Sequence, residues 1–201
     1  MNNFFQSAIN QSSSLRPKWY QLMLIAATTA ILGTLNFSVS AFEPEDLEQV
    51  KSSRVCNEDC DLSNADLREI YLVKANLENA DLQGALLMDV NLQDALLGGA
   101  DLGQSNLGGA YLRGATFQQA DLRVARLSRA DFKGVTLDQA NLQGAHLMNA
   151  KNLTASQIKS SCNWEEAIYD KNENANQAFI SELQQDADSD PVAAVDCSMW
   201  D

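Results

Sequence analysis

From Leu62 to Leu147 every fifth residue is leucine, or phenylalanine at 117 and 132, giving eighteen consecutive units without a gap. Two residues before each of these centres sits a small apolar residue, as at Ala65, Ala75, Ala80 and Ala85. Cys60 opens this second series, Ser105 is its only hydroxyl, and Ile70, Val90 and Val135 are larger. The residue just before the centre is usually Asp or Asn, so the unit reads A-[D/N]-L-x-x.

A period of five excludes ordinary elements. An α-helix turns about 100° per residue, so leucines five apart would wind around it and form no stripe. A straight strand alternates faces with period two, and an odd spacing would flip successive leucines to opposite sides. One geometry keeps both apolar series inward. Ala and Leu, two apart, share the inner face of a short extended segment, the remaining residues make a corner, and the chain starts a new side. Four such sides close a square coil of about 20 residues, and coils stack at the inter-strand spacing of about 4.8 Å. The prediction is an all-β solenoid of about 4.5 coils, with backbone hydrogen bonds running mostly between coils.

Glycine and proline agree with this reading. Nine of the ten glycines (84, 98, 99, 103, 108, 109, 114, 134 and 144) fall at the two positions after a centre, where the corner is expected. Corners need backbone angles that glycine adopts cheaply. No proline occurs between Pro44 and Pro191, as a ladder that uses every N–H requires. Each inward Leu should contribute about 1.5–3 kcal/mol. Ala at the second inward position matches a narrow interior, and charge there should be intolerable.

The residues Ala65-Asp66-Leu67, Ala80-Asp81-Leu82, Ala100-Asp101-Leu102 and Ala140-Asn141-Leu142 resemble the pentapeptide-repeat family. The resemblance covers about 90 of 201 residues and implies a right-handed quadrilateral β-helix. The motif is structural and says little about function. The segments Cys56–Leu62 and Asn152–Ile158, with Cys162–Tyr169, look similar to the caps of cyanobacterial members.

The N-terminus reads as an export signal. Arg16 and Lys18 precede an apolar run from Leu22 to Leu35, and Val39 and Ala41 suit the small-residue cleavage rule, with cutting before Phe42. The run is short for a spanning helix of about 20 residues, and an uncleaved anchor is the alternative. Either way the repeats lie outside the cytoplasm. The cyanobacterial resemblance makes that compartment the thylakoid lumen or periplasm.

The organisation is then 1–41 as signal peptide or anchor and 42–55 as a lead-in and N-terminal cap, helical around Glu45–Val50. Residues 56–155 form the solenoid, and 156–201 a helical cap with an acidic end. Thr154 and Gln157 make a capping box that opens a helix through Ile158. Trp164, Ala167 and Ile168, then Ala175, Ala178, Phe179 and Leu183, carry helical spacing onward. Asp186–Pro191 should be flexible. A solenoid exposes its last coil, and the tail is expected to cover it.

Four cysteines in an exported chain argue for disulfides, although sequence does not give connectivity. Cys162–Cys197, closing a long loop, and Cys56–Cys60 are the favoured pairs. A metal site on Cys56 and Cys60 would lack a second pair or a nearby His.

Charge and surface chemistry narrow the function. Without residues 1–41 the chain holds 12 basic and 27 acidic residues, a net −15, of which the repeats carry only −3 and the tail after 155 carries −8. This balance disfavours nucleic acid and anionic membranes; a membrane role is left only to an uncleaved N-terminal segment. With 20 residues per coil, outward residues stack into columns. One reads Asp61, Asp81, Asp101, Asp121, Asn141, either satisfied by corner N–H groups or a cation-binding edge. A basic group, Arg113, Arg123, Arg126, Arg129 and Lys133, is a solvated surface or a meeting point for an acidic partner. Outward hydrophobes divide, with Leu86 and Met88 on one side of the square and Tyr71 and Val73 on the opposite side. His146, the only histidine, projects outward, and no catalytic pairing, phosphate loop or cofactor motif is evident. The reading is a non-catalytic extracytoplasmic scaffold with an unidentified protein partner and no cofactor. The alternatives are a DNA mimic that binds topoisomerase, as some members of the family are, and a structural protein with no dedicated ligand.

Overall fold

The computed structural model describes residues 44–56, 60–169, 181, 183 and 195–200. The N-terminal apolar run and its cleavage site, the segment Ala175–Phe179 and the stretch Asp186–Pro191 lie outside the described residues.

The five-residue unit folds into one side of a square. Parallel bridges join residues twenty apart without exception from Asp61↔Asp81 to Asp131↔Lys151. Each side is so short that it contributes one bridge position rather than a strand among the described residues. We number the sides by their centres: the first holds Leu62 to Leu142, the second Leu67 to Leu147, the third Leu72 to Phe132 and the fourth Leu77 to Leu137. The ladder runs between coils. The Leu102 N–H donates to the Asp121 carbonyl at 2.8 Å, and the Asp121 N–H donates to the Ala100 carbonyl at 2.9 Å. Every centre from Leu62 to Leu147 is buried, as is the small inward series from Ala65 onward apart from the half-buried Ile70. Ser105 is tolerated inside because its hydroxyl donates to the Leu102 carbonyl at 2.7 Å.

Corners are closed by local bonds such as Ala65 N–H to the Leu62 carbonyl, 3.0 Å. The second corner residue takes positive φ, for example Asn64 (58°) and Gly84 (67°), the signature of a type II turn. Glycines at that position have a further reason to be there. Wherever Asn or Asp occupies a second-corner position with a coil above it, at Asn64, Asn79, Asp89 and Asp94, the residue one coil later is glycine. The Asx side chain stands where a Cβ on Gly84, Gly99, Gly109 or Gly114 would project. Gly98, Gly103 and Gly108 occupy the first corner position instead, where φ is not positive.

Helix α1, Pro44–Ser53, covers the first coil. Pro at the first position and Glu45 and Asp46 in the first turn favour its start. Val50 is fully buried against the core, and the Asp46 carboxylate accepts the Asp61 N–H at 2.9 Å, which the coil itself leaves without a partner below. Val55 then bridges Asn76, beginning the square.

At the other end Thr154 and Gln157 form the capping box of α2, Ala155–Lys159. Gln157 Nε2 also donates to the carbonyls of Phe132 (2.9 Å) and Val135 (2.8 Å), and Ile158 is fully buried. The helix stops there, which corrects the expectation that helical structure runs through Ile168. Asn163 turns to φ 53°, only a single 3-10 turn follows at Trp164–Glu166, and Cys162 and Ile168 bridge Asn141 and His146. An exposed coil edge offers backbone partners on two sides, and that pairing overrides the apolar spacing of the segment. Further along the chain, Ser181 and Leu183 are helical and Leu183 is buried.

Among the described residues Val124 is the one β-branched residue at positive φ, 59°, and it is 52% exposed. Such a conformation strains a β-branched residue and stores about 1–3 kcal/mol. Val124→Asn should therefore raise the melting temperature by several degrees, measured by calorimetry. A lower melting temperature would show that the Val124 side chain contributes more than its backbone costs.

Candidate functional site

The column of acids is held by its own turns. Asp61, Asp81, Asp101 and Asp121 each accept the N–H two residues ahead through Oδ1, at 2.8–3.0 Å, and Asn141 does the same at 3.1 Å. The same bond recurs at Asn76, Asn91, Asn106 and Asp131 on other sides. This explains why Asp or Asn precedes the centre: its side chain caps the corner. The carboxylates are spent on the fold, and the cation-edge reading has no further observation behind it.

Stacking nevertheless costs charge. Burial pushes the Asp101 carboxyl above its ordinary range, and the flanking Asp121 and Asp81 push it further, against the pull of the Gly103 N–H. Asp131 shows the opposite balance. Burial raises it, but Arg113 Nε at 2.6 Å, Asn152 Nδ2 at 2.7 Å and the Lys133 N–H outweigh that and hold it low. On the exposed second side, Arg68 donates to both oxygens of Asp66 at 2.8 and 2.6 Å and holds that carboxyl at about 2.

All five cations of the basic group, Arg113, Arg123, Arg126, Arg129 and Lys133, are exposed, but the fold separates them. Arg123 leaves the first side and pairs with Asp121. Arg113 and Lys133 stack at the corner after the third side, and Arg113 pairs with Asp131. Arg126 lies on the second side, and Arg129 at the corner that ends it.

The second side is richer than sequence reasoning made it. Its column reads Asp66, Leu86, Asn106, Arg126, His146, Ile168. Ile168 is 43% exposed, and Met148, at the following corner, 41%. Val124, at the preceding corner, completes an apolar and cationic surface around Arg126 and His146. Counting by twenty places Arg126 and His146 in one column. Ile168 escapes that count because it joins at an offset of twenty-two.

The register also corrects the placement of the early hydrophobes. Leu86 and Met88 belong to the second side and Tyr71 and Val73 to the third, so the two groups occupy consecutive sides, not opposite ones. The reason is the order in which centres 87 and 92 succeed each other around one coil. Tyr71 and Tyr111 are 73% and 53% exposed, and Asn91 separates them in the column.

Both cysteine pairs are disulfide-bonded, with Cα–Cα distances of 5.5 Å for Cys56–Cys60 and 5.8 Å for Cys162–Cys197. Neither Cys56 nor Cys60 is thereby left as a thiol for a metal. The second bond ties the segment 195–200 to the last coil, where Gln139 Nε2 donates to the Asp196 carbonyl (3.1 Å) and Trp200 Nε1 to the Gln139 carbonyl (2.8 Å).

A family model, pentapeptide repeats, matches residues 58–94, 91–127 and 125–159 with eight copies, more than half of the chain. The chain belongs to the pentapeptide-repeat family. Members fold as right-handed quadrilateral β-helices, and no catalytic family is indicated. Among solved structures it is similar to the pentapeptide-repeat protein Rfr23 of the cyanobacterium Cyanothece 51142 (23% identity, 64% of this chain and 96% of that one, TM-score 0.29). It is also similar to alr5209 of Nostoc PCC 7120 (24%, 63% and 93%, TM-score 0.32). A third similarity is to AT2G44920, a pentapeptide-repeat protein of the Arabidopsis thaliana thylakoid lumen (27%, 49% and 71%, TM-score 0.24). No curated protein matches the chain.

The electrostatics of this pentapeptide-repeat protein give a signed prediction. Asp101 has a raised carboxyl, so its favourable contribution belongs to the protonated form. That contribution is fully present below the ordinary carboxylate value of about 3.9 and is lost as pH rises through the raised value. Asn keeps the acceptor for Gly103 N–H without the charge. Asp101→Asn should raise the melting temperature at pH 7, and the gain should vanish on acidification to about pH 3.5, below that reference value. A gain that persists unchanged in acid would place its origin outside the charge column.

Proposed function

We propose that this pentapeptide-repeat protein is an extracytoplasmic, non-catalytic scaffold that binds another protein through the C-terminal half of its second side. The carrying observation is the grouping of exposed Val124, Met148 and Ile168 around Arg126 and Arg129 on a rigid wall. Arg and apolar side chains together suit a protein interface, and local positive charge on an acidic molecule steers an acidic partner. A DNA mimic needs a continuous acidic face. Here Asp121, Asp131 and Asp66 are each tied to an arginine, which favours the scaffold.

What supports the extracytoplasmic compartment is the N-terminal segment, with Arg16 and Lys18 before the apolar run and Val39 and Ala41 suiting a cleavage site. Two disulfides in a small chain support the same placement, in a thylakoid lumen or a periplasm. Among the described residues no helix is long and apolar enough to cross a membrane.

Mass spectrometry of the protein from fractionated cells should find Phe42 as the first residue, outside the cytoplasm. An intact residue 1 in the cytoplasmic fraction would remove the export reading. For the surface, a photoreactive residue at Met148 in intact cells should trap one recurrent partner. The same residue at Thr136, on the fourth side, should not, and Arg126→Glu with Arg129→Glu should abolish the product. Equal products at both positions, or none at Met148 across repeated trials, would dismiss this face.

A further inference from the structure

The two disulfides occupy different surroundings. Cys56 and Cys60 are 8% and 3% exposed, both packed in the core. Cys162 is 1% exposed, because its backbone completes the ladder over Asn141. Its partner Cys197 is only partly buried. A cavity of about 320 Å³ opens beside this bond, lined by both cysteines together with Lys159, Trp164, Glu165 and Val195. Lys159 and Glu165 offset each other there, so access rather than charge distinguishes the site.

We propose that Cys162–Cys197 is a thiol–disulfide exchange site, and that its substrate class is a protein dithiol which enters this cavity and attacks Cys197. The proposal stands apart from the scaffold reading, since it rests on neither the second side nor a partner bound there. Which sulfur is attacked depends on access, and only Cys197 offers it. A thiolate of the dithiol attacks Cys197 Sγ. The Cys162–Cys197 bond breaks, a mixed disulfide forms, and Cys162 Sγ leaves as a thiolate that takes a proton from solvent. The second thiol, losing its proton, attacks its neighbour's sulfur in the mixed disulfide and expels the Cys197 thiolate, which is protonated in turn. The dithiol ends as a disulfide, and two electrons and two protons have passed to the protein.

Exchange changes the end of the solenoid. The segment 195–200 reaches the last coil through the disulfide and through two hydrogen bonds to Gln139. The bond closes a separation of 35 residues, and long closures are costly to hold without a covalent link. Once Cys162 and Cys197 are thiols, the segment detaches and Gln139 and the cavity wall at Trp164 face solvent. The coils, held by their own ladder, stay folded.

The test uses the full chain under native conditions, with thioredoxin as the dithiol and mass spectrometry of alkylated peptides as readout. Cys162 and Cys197 should become alkylatable at least about tenfold faster than Cys56 and Cys60, as access-controlled exchange requires. A thioredoxin variant without its resolving cysteine should be trapped on Cys197. Hydrogen exchange should show protection lost at Trp200 and kept at Leu102 and Leu122, and Cys197→Ser should reproduce that pattern without any reductant. Simultaneous reduction of both bonds, trapping on Cys162, or unchanged protection at Trp200 after reduction would each overturn the proposal.

Discussion

Everything in this molecule depends on a ladder that advances by twenty. From Leu62 to Phe132 each centre donates its N–H nineteen residues ahead, and from Asp81 to His146 the residue before each centre donates twenty-one behind, as Leu82 to Asp101 and Asp101 to Ala80 illustrate. Because these bonds cross between coils, no side is stable by itself, and every side is specified by the ones above and below. A single inserted residue would flip the inward series outward. The repeats therefore run without a gap. Offsets of twenty-one and twenty-two occur only where the chain enters or leaves them, at Val55, Cys162 and Ile168.

Stacking like on like then makes electrostatics a matter of columns. Residues at one position sit within a strand spacing of each other, closer than the screening length of about 8 Å at physiological ionic strength. The molecule answers by mixing each column. Asn141 ends the acidic one, Arg123 neutralises Asp121 from the adjacent corner, and Arg113 does so for Asp131. Asp101 keeps a raised carboxyl, through burial first and then its acidic neighbours Asp121 and Asp81. The modest charge of the repeats, against the acidity of the tail, reflects the same constraint.

Most of the architecture was legible because it is local. The period fixed which residues face inward, the glycines marked the corners, and Thr154 with Gln157 announced α2. What escaped was set by distant partners. Sequence does not distinguish the first corner position from the second, because the positive φ of Gln104, Val124 or Arg129 is imposed by turn closure and not by residue type. Ile168 carried helical spacing and still paired with His146, since an open edge outweighs a weak helix preference. The candidate surface was half visible for that reason. Arg126 and Arg129 could be picked out by charge, but their neighbours Met148 and Ile168 become neighbours only through the stack, and Arg113 and Lys133 are placed a side away by it.

The square cross-section has a consequence for how such a chain can change length. Excising one unit of five would leave every inward contact equivalent but turn all that follows by a quarter revolution about the axis. Arg126 and His146 would then continue the line of Asp81 and Asp101 instead of Leu86, and the outer walls would be reassorted while the interior stayed the same. Excising a full turn would shorten the stack and keep each wall intact. Lineages of this fold can thus tune reach without altering recognition, or redraw recognition in one step, depending only on whether the lost segment is a whole circuit or a part of one.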